Sequence, residues 1–139
     1  MRKLLTSLLL ISMCQTAYGL TMPQSICLSG WLKAKFGNGG KQYCQDVSDE
    51  GQAFCVAGFL QGYGVGAKDY CQDIPSRAVG ICLQGWLSAA YGSGGKAFCN
   101  QVTTEAQAWC LNGWLVAQYG AGGGQYCGVN GLNKKVPAN

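Results

Sequence analysis

Apolar side chains in this chain recur on a helical period rather than a strand period. Leu28, Leu32 and Phe36 stand four residues apart, and Leu83, Leu87 and Tyr91 repeat that spacing, so each set falls on one face of a helix. A narrower stripe of small residues runs beside it: Cys27, Gly30 and Ala34 in one place, Cys82, Gly85 and Ala89 in another. The unit is written four times, over residues 27–44, 55–71, 82–99 and 110–127, each copy bounded by cysteines. First cysteines are 28, 27 and 28 residues apart and second cysteines 27, 28 and 28. A fixed period of that size marks a stack of repeated supersecondary units.

Helix punctuation recurs with the same period. Thr21, Asp49, Ser76 and Thr104 each stand six residues before a first cysteine, and each has a side-chain oxygen able to take up an orphan amide of a first helical turn. Gln24, Gln52 and Gln107 follow three residues later and complete capping boxes; the third copy has Val79 there. Pro23 falls in the first turn, where its missing N–H costs little. Gly37, Gly64, Gly92 and Gly120 fit the left-handed position just past a helix. Each repeat is therefore predicted to open with a helix of about four turns, roughly 22 Å long. A glycine turn follows, and segments such as 41–47 leave room for a brief return helix only. Repeat 2 lacks one residue between Leu60 and Tyr63, which predicts a shifted last turn. Mid-helix glycines recur at 30, 58, 85 and 113 and cost about 1 kcal/mol each against alanine. Close approach of a neighbouring backbone is the expected compensation.

The predicted fold is all-α: four tandem repeats of about 28 residues, each a helix, a glycine turn and a short helix, stacked as a small disulfide-stapled solenoid. The run Gly58, Phe59, Leu60, Gln61, Gly62, Tyr63, Gly64, Val65, Gly66 resembles the helix-and-glycine-turn half of Sel1-like repeats. That family has a longer period and a full-length second helix, so the resemblance implies architecture alone.

Cysteine usage adds the compartment. Arg2 and Lys3 precede a short apolar run over residues 4–12, and Ala17, Tyr18 and Gly19 put small residues where signal peptidase reads them. Residues 1–19 read as a signal peptide cut after Gly19, too short to serve as an anchor. Ile11, Ser12, Met13 and Cys14 loosely fit a lipobox, and bulky Met13 counts against a lipid anchor at Cys14. Removing Cys14 from nine cysteines leaves eight, an even set at regular spacing, which in an exported chain is a disulfide framework. Pairing within each repeat (Cys27 with Cys44, Cys55 with Cys71, Cys82 with Cys99, Cys110 with Cys127) uses all eight and is preferred. Pairing across repeats (Cys44 with Cys55, Cys71 with Cys82, Cys99 with Cys110) strands Cys27 and Cys127 unless the stack closes into a ring. Residues 20–127 form the repeat domain and 128–139, containing Lys134 and Lys135, a flexible tail.

Composition narrows the chemistry. There is no histidine, so neither Ser-His nor Cys-His nucleophiles can be assembled, and cysteine spacings of 17 and 11 do not form a zinc knuckle. No enzyme activity, cofactor or metal is expected. Loss of Arg2 and Lys3 lowers the formal net charge from +4 to +2, too little for a nucleic-acid partner. Two rows remain as a candidate binding surface. Trp31, Trp86 and Trp114 are equivalent, with Phe59 in the second copy. Lys41, Lys68 and Lys96 each stand four residues after a turn glycine, with Gly124 in the fourth copy. Rings in a row either fill the core or anchor a partner; lysines at glycine-rich helix starts either face solvent or hold an anion. The expected function is an exported, periplasmic or secreted binding module. Its partner is another envelope or secreted protein, or an anionic glycan. The alternatives are a small secreted effector, acting as inhibitor or toxin, and a carbohydrate-binding module that uses the aromatic row.

Overall fold

A computed structural model describes residues 19–120 and 122–129. Residues 1–18 of the expected leader, Cys14 with them, and residues 130–139 of the expected tail lie outside the described residues. Four long helices, α1 (Met22–Lys33), α3 (Glu50–Tyr63), α5 (Arg77–Ser88) and α7 (Glu105–Val116), alternate with four short ones, α2 (Gly40–Cys44), α4 (Ala67–Tyr70), α6 (Gly95–Cys99) and α8 (Gly123–Tyr126). There is no strand among the described residues. Each long helix packs on the next along the chain, α1 on α3, α3 on α5 and α5 on α7, and each short helix folds back on its own long helix.

The four caps act as the sequence predicts: Thr21, Asp49, Ser76 and Thr104 each accept from the amide three residues on. Only the first is a reciprocal box, with the Thr21 N–H donating to Gln24 Oε1 at 3.0 Å. The Gln107 side chain instead accepts from Thr103, and its amide donates to the Gly128 carbonyl at 2.9 Å.

Helix ends differ from expectation. In three repeats the left-handed residue is not the glycine but the residue two before it: Lys35 at φ 61°, Ala90 at 58° and Gln118 at 58°. The long helices there have 12 residues, shorter than cap-to-glycine spacing implied. The cause is a paired closure of the last turn. The Lys35 N–H donates to the Leu32 carbonyl at 3.0 Å and the Phe36 N–H to the Trp31 carbonyl at 3.4 Å; Ala90 and Tyr91 do the same toward Leu87 and Trp86. These bonds satisfy carbonyls that would otherwise be orphaned. Gly37, Gly92 and Gly120 keep positive φ as a second bend that turns the chain toward the short helix. Repeat 2, one residue shorter, has a 14-residue helix that runs directly into Gly64.

Disulfides join each long helix to its own short helix: Cys27–Cys44, Cys55–Cys71, Cys82–Cys99 and Cys110–Cys127. Within-repeat pairing is thus the scheme adopted. Each bridge closes a loop worth about 3 kcal/mol on the chain-entropy model. The first three bridges lie in a continuous core with Leu60, Leu83, Leu87, Leu111 and Leu115, and Cys127 of the fourth packs against it. The packed region continues two residues past Cys127, because Val129 is buried, as are Val47 and Val102 three residues past the last cysteines of repeats 1 and 3.

Mid-helix glycines set the distance between repeats. A Cβ on Gly58 would lie 2.6 Å from the Gln84 Cα, and one on Gly85 2.7 Å from the Asn112 Cα; Gly30 meets Ala57 in the same way. Backbone rests on backbone at all three junctions, the close approach that offsets poor helix propensity.

Candidate functional site: the groove between the long helices

The stack curls. Phe54 on α3 reaches past α5 to meet Trp109 on α7 edge-on, with ring centroids 5.6 Å apart. Curling leaves an inner groove of about 690 Å³ to which all four long helices contribute. Its lining comprises Met22, Ser25, Ile26, Ser29 and Lys33 from α1, Phe54 and Gln61 from α3, Gln84, Ser88 and Ala89 at α5, and Trp109, Asn112, Val116 and Gln118 at α7. Lys33 is the one charged group in that lining. Hydroxyls and amides supply the remaining polarity, beside a tryptophan that is 48% exposed.

Local bonds hold several of these groups in place. The Asn112 amide donates to the Ile81 carbonyl at 2.8 Å and to Gln84 Oε1 at 3.2 Å, tying α7 to α5 at the groove floor. Gln61 donates to the Ala57 carbonyl at 2.9 Å. At one end Arg77 spans three repeats, pairing with Glu50 on α3 and, through Nε at 2.8 Å, with Glu105 on α7, while its guanidinium lies over the Phe54 ring. Pairs this exposed add little stability singly. Their geometry nevertheless fixes the relative placement of three helix starts around Phe54.

The aromatic row lies elsewhere. Trp31, Trp86 and Trp114 each point at their own short helix, stacking obliquely on Tyr43, Phe98 and Tyr126 with centroids 4.9–5.0 Å apart. Each indole N–H donates to the carbonyl of its turn glycine, Gly37, Gly92 or Gly120, at 2.9–3.0 Å. The ring leaves no room on the glycine that opens the short helix: a Cβ on Gly95 would lie 2.5 Å from Trp86 Cδ1. Repeat 2 answers both facts together, carrying the smaller Phe59 and admitting Ala67 in the glycine's place. Trp86 is buried, whereas Trp31 and Trp114, in the end repeats, are half-buried.

The lysine row sits at the junctions. Lys68 caps the Tyr43 ring of the preceding repeat at 4.6 Å and bonds Asp46 at 2.7 Å; Lys96 caps Tyr70, again at 4.6 Å. The bond from Lys68 holds the Asp46 carboxyl below its ordinary range, and burial pushes the phenols of Tyr43 and Tyr70 up. Lys41, in the first repeat, has no repeat before it among the described residues to supply such a ring. The structure thus brings Lys68 and Lys96 to tyrosine ring faces between repeats, while Lys41 and Trp31 line a shared hollow at the first repeat.

Sequence reasoning missed the groove. Its rows are those where the four copies differ: Ser29, Ala57, Gln84 and Asn112 at one position, and Ile26, Phe54, Ile81 and Trp109 at another. Rows that stay constant build the scaffold, so variation between copies was the available signal. No group of three or more metal-ligating side chains occurs among the described residues, and no described helix is long and apolar enough to cross a membrane. Four disulfides in so small a chain fit an oxidising environment outside the cytoplasm. No family model, curated protein or solved structure matches this chain.

Proposed function

We propose that this protein is an exported binding module whose inner groove receives a segment of another envelope or secreted protein. The observation that carries the reading is the lining: an exposed Trp109 braced by Phe54, set among serine, glutamine and asparagine side chains with a single charge. A half-exposed tryptophan with a rigid backing is a favoured anchor in recognition surfaces, and scattered amides match the hydrogen-bonding groups of an extended peptide. Backbone-on-backbone packing at the mid-helix glycines keeps the four helices that supply this lining at fixed separations, which lowers the ordering cost of binding.

Binding rather than catalysis is supported by what the acids do. Of six acidic residues, Asp49 caps α3, Asp46 bonds Lys68, and Glu50 and Glu105 hold Arg77. Immobilised protein is challenged with envelope and culture-medium proteins of its own cells, in parallel with W109A and N112K. A partner retained by the wild type and reduced at least about tenfold by either variant is expected. Equal retention by all three refutes the groove, and release by free oligosaccharide would replace the peptide with a glycan.

A further inference from the structure

Both ends of the stack present the surface that its interior uses for joining repeats. On the last long helix, Gly113 occupies the row of Gly30, Gly58 and Gly85, but a Cβ there would meet nothing within 4 Å. The neighbouring disulfide is half-uncovered at Cys110 and Cys127, whereas the six cysteines of the other bridges are at most 1% exposed. Tyr126 is 74% exposed, although its counterparts Tyr43 and Tyr70 lie under lysines of the following repeat. An apolar hollow of about 800 Å³ marks this end. The first helix shows the complementary face. Leu32 is 64% exposed, while its counterparts Leu60, Leu87 and Leu115, on helices that each pack against the long helix before them, are at most 1% exposed. Stacked-repeat proteins that stay single carry polar outer faces on their terminal repeats; here both terminal faces are apolar.

We propose that copies of this protein associate head to tail, α1 of one copy packing on α7 of the next as each internal repeat packs on its predecessor. The occupant follows from the chain's own three junctions, since a second copy brings each required group in register. Ser29 supplies the small residue that Ala57 supplies to Gly30. Lys41 is placed over Tyr126 as Lys68 is over Tyr43. The contact joins two different surfaces, so it propagates and does not stop at a symmetric dimer.

The test is sedimentation of the full chain, produced in an oxidising compartment, across concentration, with variants G113L and L32K. A Cβ at Gly113 meets nothing within 4 Å and Leu32 is 64% exposed, so both variants are expected to fold. Wild type is expected to grow in mass beyond two copies. L32K forfeits a buried leucine and weakens association about a hundredfold; G113L separates the backbones and abolishes self-association. Mixed together, the two variants retain one sound end each and form a one-to-one dimer at concentrations where neither associates alone. Wild type at single-chain mass throughout overturns the proposal. So does growth of wild type only after residues 130–139 are removed, which would make that segment the occupant of the α7 face. Failure of the mixture to dimerise while wild type associates would overturn the head-to-tail geometry. Loss of the groove partner leaves each of these outcomes unaffected.

Discussion

Replacing Gly85 and Gly113 with alanine, one at a time, applies the same chemical change to equivalent helix positions and is expected to move stability in opposite directions. In a bare helix the change is favourable by about 1 kcal/mol, because alanine loses less backbone entropy. At Gly113 nothing lies within 4 Å of the added carbon, so G113A gains close to that amount. At Gly85 the carbon is driven to 2.7 Å from the Asn112 Cα and 2.9 Å from its carbonyl oxygen. Neither atom can rotate away, so α5 and α7 must separate. Overpacking of this kind costs about 1–3 kcal/mol, with backbone contacts at the upper end, and the helix gain offsets only part of it. A net loss of about 2 kcal/mol is expected for G85A, which puts the two variants about 3 kcal/mol apart. Urea unfolding at low protein concentration, with disulfides intact, measures this directly: slopes of about 1–3 kcal/mol per molar turn the difference into midpoints at least about 1 M apart. Two variants shifted in the same direction would refute the claim that glycine sets the repeat spacing.

Other expectations follow from the same geometry. A90G relieves a left-handed alanine at φ 58° and is expected to stabilise by about 1 kcal/mol, read as a raised urea midpoint. W86F and G95A each destabilise, the first by losing the bond to the Gly92 carbonyl and the second by striking the indole. Together they recreate the Phe59 and Ala67 pairing, so a double-mutant cycle is expected to show about 1 kcal/mol or more of favourable coupling. The Asp46 carboxyl, held low by Lys68, contributes stability above its ordinary value that is lost as pH falls through the lowered one; D46N flattens that acid limb of the pH–stability profile. Burial raises the phenol of Tyr70, so folding favours its neutral form and stability declines as pH climbs past 10.0; Y70F reduces the decline.

Much of the fold was legible because the repeat gives four readings of one rule. Thr21, Asp49, Ser76 and Thr104 announce the helix starts by chemistry any helix needs, and a cysteine near each end of the unit allows closure within it. The helix ends were misplaced by two residues because the left-handed position is held by Lys35, Ala90 and Gln118. Hydrogen bonding of the last turn overrides their weak preference for that conformation, and the glycine that catches the eye makes the next bend. Lys68 and Lys96 were visible as a row, but their use depends on which ring of the preceding repeat they meet. That register is a property of stacking, not of one unit. The groove was least legible of all, since it is assembled from four helices at positions where the copies disagree.

The central claim is that each of four like units is closed on itself by its own disulfide and then laid on the next. Mass spectrometry of proteolytic fragments, prepared without reduction, tests this most directly. The account predicts four linked peptide pairs, each confined to one repeat: Cys27 with Cys44, Cys55 with Cys71, Cys82 with Cys99 and Cys110 with Cys127. Fragments linking Cys44 to Cys55 or Cys71 to Cys82, or free thiols at those positions, would contradict it.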